Sequence, residues 1–180
     1  MFLAKLKDIS VFETCFGEVN DEVKSLDKQA DNSTLAQSSL KYETKVPQLE
    51  YMCLMMENMV MTKKLNGTIY AGFQKQSRAT AIMDRYLAMA EYCNIYLFGE
   101  NDVDLPEHPN ITYIDLPPQA NLMREWFLVI DGDAFKSMMV AYDLDGFGNH
   151  AVEEDRNFKG VKSSSPEVIN QAKGLLSSVI

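Results

Sequence analysis

The sequence has little positive charge and few of the residues that usually build metal or phosphate sites. Its 180 residues include 17 lysines and arginines against 26 aspartates and glutamates, for a net charge of −9, and only two histidines. A surface that binds DNA, RNA or anionic lipid needs clustered Lys and Arg. We therefore expect neither a nucleic acid nor a membrane surface as a partner.

Cysteines and long apolar runs are also scarce. Cys15, Cys53 and Cys93 lie far apart and form no Cys-x-x-Cys pair, so reduced, buried thiols are expected. The apolar N-terminal stretch is too short for a signal peptide, and no run approaches the ~18 apolar residues of a membrane span. These features predict a soluble, cytoplasmic protein without disulfides.

Motifs of common enzymes are missing as well. The sequence has no Gly-x-Gly-x-x-Gly or Walker-type phosphate loop, no Gly-x-Ser-x-Gly nucleophile elbow and no Cys/His group with zinc spacing. Since no base–nucleophile pair can be proposed, we expect a non-enzymatic protein with no catalytic residues, no metal and no cofactor. If the protein is an enzyme after all, the candidates for its chemistry are Asp131, Asp133 and Arg124.

Short apolar segments separated by Gly, Pro, Asn or Asp have the composition of β-strands. Four are rich in β-branched and aromatic residues, at 68–73, 94–98, 110–114 and 126–130. A segment at 135–142 fits either a helix or a strand, and its end favours a strand. Another short strand is expected at 158–161. Helical periodicity is present at 49–64, 77–93 and 167–179.

These elements predict an α/β fold, in which a central mixed sheet of about five to six strands is flanked by helices in a single domain. The strand–helix–strand spacing from residue 68 to 98 predicts that the first two strands are parallel. Residues 1–46 are expected to form an N-terminal extension, with a polar linker or solvated helix–loop at 20–45. Residues 47–180 would be the domain itself, at the N-terminal side of a longer signalling protein.

The helix expected at residues 49–64 is apolar on more than one face. Tyr51 and Met55 lie outside its main apolar stripe, and five of the chain's 11 methionines fall in this segment. Met packs adaptably at surfaces that must re-pack. The helix therefore lies either at the centre of the core or at an interface with a partner, and in the second case Tyr51 and Met55 would support a homodimer.

Two stretches are further candidates for a ligand or partner contact. Arg124, Glu125 and Trp126 place an ion pair beside the only tryptophan, with Arg124 and Trp126 on one face of a strand if side chains alternate. A structural salt bridge between Arg124 and Glu125 is the alternative interpretation. Asp131 follows the end of the same strand, where α/β proteins often place functional carboxylates, although it equally suits a turn.

The loop that begins at Asp143 partly matches the ligand spacing of an EF-hand. Asp143, Asp145, Gly148 and Glu154 occupy positions 1, 3, 6 and 12, but Phe147 at position 5 offers no ligand. The flanking segments also have the pattern of strands rather than helices. We therefore expect an acidic surface loop, with a calcium site as the alternative.

The order of these segments resembles the DICT sensory domain, a family of cyanobacterial and haloarchaeal signalling modules found beside diguanylate cyclases and two-component proteins. The resemblance covers roughly residues 46–176. It rests on the helix at 49–64, the strand at 69–74 that ends in Phe-Gln, the helix and strand at 86–100, and the strings 124–129 and 158–161. The methanogen-type sensory domains share a similar α/β pattern.

The resemblance implies a non-enzymatic input module that regulates a signalling output of the diguanylate cyclase or histidine kinase type, with a link to light-dependent responses. It implies no ligand and no functional residues. The alternative is a small-molecule-binding regulatory domain, whose pocket would lie at the carboxyl ends of the strands near Gly99, Leu116 and Asp131. Arg124, Trp126, Asp131, Tyr51 and Met55 are the candidate residues for a ligand or partner surface.

Overall fold

The structure, a computed structural model, describes residues 2–17, 24–25 and 39–180 of the chain. Its centre is one mixed sheet with strands β1 (Lys24–Ser25), β2 (Ser39–Lys45), β3 (Gly67–Lys75), β4 (Cys93–Glu100), β5 (Ile111–Asp115), β6 (Glu125–Gly132), β7 (Lys136–Asp143) and β8 (Asn157–Ser163). The strand order is β1-β2-β8-β7-β6-β3-β4-β5. Since β1 has only two residues, this part of the chain contains seven full strands. The prediction of five to six strands was too low.

Helices cover both faces of the sheet. Within the described residues they are α1 (Phe2–Asp8), α2 (Val11–Phe16), α3 (Val46–Lys63), α4 (Met83–Ala90) and α5 (Pro166–Ser177). Helix α3 confirms the helix predicted at 49–64, and α5 confirms the one predicted at 167–179. In this portion of the chain, no helix combines the length and the apolar character that a membrane crossing requires.

The helix predicted at 77–93 is only partly correct. Its first half, Gln76–Ile82, is a 3₁₀-helix, and the α-helix α4 begins after it. The backbone N–H and the hydroxyl of Ser77 both donate to the Asp102 carboxylate, at 2.8 and 2.6 Å. This long-range anchor ties the tight turn to the loop after β4, which local helical periodicity does not reveal.

The sheet separates two hydrophobic cores. Strands β3, β4 and β5 are parallel, which confirms the predicted β–α–β unit, and β6, β7 and β8 run antiparallel to their neighbours. The segment at 135–142 is a strand. Helices α3 and α4 cover one face, and α1, α2 and α5 cover the other. Side chains of β6 alternate between the faces, so Trp126 enters the first core and Phe127 the second.

The linker predicted at residues 20–45 is wrong for its last part, because Ser39–Lys45 forms β2 inside the sheet. Tyr42 and Thr44 are buried, while Glu43 and Lys45 are exposed. Such a strand looks polar because one of its faces meets water. Residues 20–23 and 26–38 lie outside the described residues. The boundary at residue 46 stays a prediction, although α1, α2 and β2 contribute to the same two cores.

Candidate functional site

A cavity of about 370 Å³ lies between α3 and the 3₁₀-helix Gln76–Ile82, above the sheet. Its volume falls within the range typical of small-molecule pockets. Tyr51, Leu54 and Glu57 of α3 form one wall, and Arg85 of α4 contributes to the other. The floor is formed by aromatic side chains near the end of β3 and the start of β6.

The aromatic floor consists of Phe73 and Trp126, whose ring centroids are 6.4 Å apart with a tilt of 49°. Phe73 precedes Gln74, a buried residue with a positive φ of 67°, a conformation that costs energy in a non-glycine residue. Gln74 Nε2 donates to the carbonyl of Met123 and to the Asp143 carboxylate, both at 3.0 Å. These hydrogen bonds fix the irregular end of β3 and with it the position of the Phe73 ring.

An ion pair between a buried acid and a half-buried base lies in the cavity wall. Glu57 is 0% exposed, and its Oε1 accepts a hydrogen bond from an Arg85 NH2 group at 3.2 Å. Burial raises the pKa of the Glu57 carboxyl, and the positive charge of Arg85 partly opposes that rise. Because a buried charge is costly even when paired, this pair is an unusual feature for a helix face that otherwise packs into the core.

Three polar atoms around the cavity are buried without a hydrogen bond. They are Oε2 of Glu57, Nε of Arg85 and Nε1 of Trp126, half of the six such side-chain atoms in the described part of the chain. The Tyr86 hydroxyl and the Cys53 thiol lie near Glu57 and Trp126 but do not complete their hydrogen bonding. Each unmade hydrogen bond of a buried group costs about 1–3 kcal/mol. Their concentration at one cavity makes this cavity the candidate functional site.

The mouth of the cavity carries a looser set of charges. Arg78 lies 3.9 Å from carboxylate oxygens of both Glu50 and Glu154. Tyr51 stands beside them with 56% of its surface exposed. Ion pairs this long and this open contribute little to stability, so these side chains are free to rearrange when a molecule enters.

Of the residues predicted to form a ligand or partner surface, two meet at this cavity. Trp126 forms part of its floor and Tyr51 part of its rim. Met55 lies on the same helix but outside the lining, half-buried against the core. Arg124 is elsewhere: its Nε and one NH2 group donate to the carbonyl of Asp143, at 2.9 and 2.5 Å. Asp131 is at the far end of β6.

The pocket predicted near Gly99, Leu116 and Asp131 is wrong, because these residues do not share one edge of the sheet. Strand β6 runs antiparallel to β3, so Asp131 pairs with Thr68 at the start of β3, whereas Gly99 lies at the end of β4. Asp131 is instead held by ion pairs to Lys136 and to Lys173, the latter at 2.5 Å. These lysines lower the pKa of its carboxyl.

The salt bridge considered between Arg124 and Glu125 is not formed. Glu125 is 1% exposed and accepts hydrogen bonds from the Ser10 hydroxyl and from the backbone N–H groups of Val11 and Phe12, the closest of these N–H groups at 2.9 Å. Its carboxylate thus binds the first turn of α2 from within the core. Burial is the main cause that raises its pKa to about 7.

The loop after β7 is not simply an acidic surface loop, because Asp143 is 0% exposed. Its Oδ2 accepts from Arg156 at 2.5 Å and from Gln74 at 3.0 Å. Its Oδ1 accepts from the backbone N–H groups of Asp145 and Gly146. Both oxygens are therefore occupied by protein donors. Across the described residues, no three His, Cys, Asp or Glu side chains are grouped as a metal site.

Sequence reasoning missed Glu57 and Arg85, the two charged residues at the centre of the site. A signal for Glu57 was present: it lies four residues after Cys53 and three before Val60, within the buried stripe of α3. A single acid in an apolar helical stripe calls for a partner or a function. No comparable signal identified Arg85, because its partner lies 28 residues away in the chain.

The family described as the sensory domain in diguanylate cyclases and two-component systems, DICT, has a sequence model that matches residues 23–144. No curated protein matches the chain in sequence.

Several solved structures share parts of the fold at low similarity. NucT from Helicobacter pylori is 13% identical, with a TM-score of 0.48, over 78% of this chain and 95% of that one. TrmBL2, described as an archaeal chromatin protein, is 9% identical, with a TM-score of 0.45, over 77% and 51%. Nuc from Salmonella typhimurium, described as a phospholipase D family member, is 10% identical, with a TM-score of 0.39, over 78% and 91%. Because these similarities are low, nothing about function is transferred from these proteins.

Proposed function

Because the chain belongs to the DICT family of sensory domains, we propose that it is a non-enzymatic input domain whose signal is a small molecule bound in the cavity beside Trp126. DICT domains occur in diguanylate cyclases and two-component systems. A cyclase or histidine kinase output, in the same chain or in a partner protein, is accordingly the process that it would regulate.

The observation that carries this proposal is the grouping of three unpaired buried polar atoms around one cavity. In a domain that only packs against a partner, a buried carboxylate oxygen and an indole N–H without hydrogen bonds would cost free energy with no compensating role. A ligand that supplies the missing hydrogen bonds would bind more tightly than the apolar walls alone allow. The site then combines shape with a small number of polar contacts, as sensory pockets require.

The route from cavity to output can be stated in terms of neighbouring residues. Trp126 and Glu125 are adjacent on β6 and point to opposite faces of the sheet. A ligand that shifts Trp126 therefore moves the backbone that carries Glu125, the residue that holds the first turn of α2. Helix α2 contacts α5 through a hydrogen bond from Gln171 Nε2 to the Thr14 carbonyl at 3.0 Å. Binding would favour one packing of these helices over another.

The proposal is tested by filling the mouth of the cavity. Ala81 lines it and is exposed, so Ala81→Phe adds a ring there without replacing core atoms; Ala88→Phe makes the same change at an exposed position on α4 outside the lining. In native mass spectrometry we expect a discrete extra mass on the wild-type chain and on Ala88→Phe, and its loss from Ala81→Phe. An extra mass retained by Ala81→Phe, or none on any chain, would contradict the proposal.

The same proposal includes the cellular compartment of the domain and the stimulus to which it responds. All three cysteines are free thiols, which supports a reducing compartment such as the cytoplasm. A light-dependent response, which the sequence resemblance implies, would require the bound molecule to absorb visible light. Ultraviolet–visible absorption of the natively purified chain would detect such a molecule directly.

A second candidate role is a contact with another protein or a second copy of the chain through α3. Tyr51 is the most exposed large hydrophobic residue in the described part of the chain, at 56%. Met55 follows it by four residues and therefore lies on the same side of the helix. This surface adjoins the rim of the cavity, so a partner bound here would sense whether the cavity is occupied.

A further inference from the structure

The chemistry of the cavity wall limits what it can bind. We propose that its ligand is a neutral, planar heterocycle that carries an N–H donor next to a carbonyl acceptor, as in a lactam or a cyclic imide. This inference rests on the proposed function, because it names the class of molecule that the same cavity would take.

The hydrogen-bonding pattern comes from the three unpaired atoms. Glu57 Oε2 can only accept while the carboxyl is ionised in its pair with Arg85, so the ligand must present a donor to it. Arg85 Nε and Trp126 Nε1 can only donate, so the ligand must present an acceptor to at least one of them. A ring N–H beside a ring carbonyl offers both groups on one edge. A hydrocarbon would leave all three protein atoms unpaired.

The neutral charge follows from the balance of the lining residues. Two acids, Glu50 and Glu57, and two bases, Arg78 and Arg85, line the cavity, and each acid lies within ion-pair distance of a base. A charged ligand would have to separate Arg85 from the buried carboxylate of Glu57, and a buried charge left uncompensated costs several kcal/mol. A neutral molecule completes the hydrogen bonds and leaves both pairs in place.

The planar shape follows from the walls and the volume. The tilted rings of Phe73 and Trp126 form the floor, and the aliphatic side chains of Leu54 and Ile82 line the same space. Aromatic side chains bind other flat rings by stacking or edge contacts. A volume of about 370 Å³ equals that of roughly a dozen waters, which suits a molecule of two or three fused rings.

Three quinoline compounds test each part of this inference on the wild-type chain. 2-Quinolone is a neutral lactam; N-methyl-2-quinolone keeps the carbonyl but lacks the donor; quinoline-2-carboxylate has a similar ring system and a negative charge. The readout is the indole N–H signal in a ¹H–¹⁵N spectrum, which belongs to Trp126 because the sequence has a single tryptophan.

We expect 2-quinolone to shift the indole signal saturably and N-methyl-2-quinolone to bind about tenfold more weakly or worse, since it cannot bond to Glu57. Glu57→Leu, which has no acceptor atom, should remove most of that preference, whereas Glu43→Leu, at an exposed position on β2, should retain it. Equal binding of the two quinolones, tighter binding of the carboxylate, or no saturable shift with 2-quinolone would each overturn the lactam assignment.

The outcomes distinguish an error in the ligand class from an error in the proposed function. If the wild-type chain carries a native extra mass that Ala81→Phe loses, yet 2-quinolone does not bind, the cavity is a ligand site and the lactam class is wrong. If no extra mass is found and Ala81→Phe binds 2-quinolone as well as the wild-type chain does, both the cavity site and the lactam class are wrong.

Discussion

Buried charges decide the local chemistry of this protein. Arg156 and Asp143 are both fully buried, and an NH1 group of the arginine lies 2.5 Å from Oδ2 of the aspartate. The ring centroid of Phe147 lies 3.9 Å from the central guanidinium carbon of Arg156. Glu57 and the half-buried Arg85 form the second pair, in which Oε2 of the acid and Nε of the base both lack a hydrogen-bond partner; in the first pair this holds only for one NH2 group of Arg156. The two pairs differ in their carboxylates: both oxygens of Asp143 accept from protein donors, whereas Oε2 of Glu57 has no donor.

Glu125 should make the stability of the protein depend on pH. Its pKa is raised by burial from the ordinary value of 4.5 to about 7, so the folded chain holds a proton that the unfolded chain releases between these values. This contribution is fully present below pH 4.5 and is lost as the pH rises to about 7. The free energy of unfolding should therefore fall across this window by about 3 kcal/mol on account of Glu125.

Urea denaturation at pH 5 and pH 7.5 measures this effect. Glu125→Gln cannot ionise, so its free energy of unfolding should fall less over this interval than that of the wild-type chain. Glu57 contributes in the same direction, but it is present in both proteins and cancels in the comparison. Glu107→Gln, which alters an exposed acid in the loop after β4, should behave like the wild-type chain. Equal pH dependence in all three proteins would rule out a titrating Glu125.

At the level of secondary structure, Tyr42 anchors β2 to its partner strand β8. Tyr42 is fully buried and lies opposite Gly160 of β8 in the antiparallel register. A Cβ atom at Gly160 would collide with the Tyr42 ring. The absence of a side chain at Gly160 therefore makes room for the aromatic ring that anchors β2.

Gly160→Ala should destabilise the protein by about 1–3 kcal/mol, because the added methyl group displaces the Tyr42 ring from a close-packed core. Gly174→Ala is the matched control: this glycine lies in α5, and an added Cβ would meet no atom within 4 Å. There the same change should stabilise the protein by about 0.5–1 kcal/mol through helix propensity. Thermal unfolding of both variants measures the difference, and equal melting temperatures would refute this account of β2.

At the scale of the whole molecule, the second candidate role predicts a homodimer in which the α3 helices of two copies are in contact. If Tyr51 and Met55 form a homodimer contact, sedimentation of the wild-type chain should show concentration-dependent assembly. The double change Tyr51→Glu and Met55→Glu should weaken it at least about tenfold, because two charges would enter an apolar interface.

The control for this experiment is Val152→Glu, which places the same charge on another exposed apolar residue, 51% accessible, outside α3. It should assemble like the wild-type chain. A wild-type chain that stays monomeric at all concentrations would exclude the dimer, and an unchanged dimer in the double variant would move the interface away from α3.

The prediction of the candidate site succeeded only in part. Trp126 is unusual as the only tryptophan, and Tyr51 is unusual as an apolar residue off the main helical stripe. Both line the cavity. The sequence neighbours of Arg124 and Asp131 suggest a role for both, but their actual partners are the Asp143 carbonyl and two lysines. Local sequence shows which residues are unusual, whereas only the folded chain shows what they contact.

The sequence by itself determined the alternation of strands and helices, the parallel β3–β4 unit and the family, because periodicity, turn residues and segment length are local properties. The tertiary structure alone decided the rest. It placed β2 in the sheet, brought Glu57 to Arg85, and joined Glu125 to α2 across 114 residues of chain. Strand direction and packing set these contacts, and the cavity exists only where α3, the 3₁₀-helix and two strand ends meet.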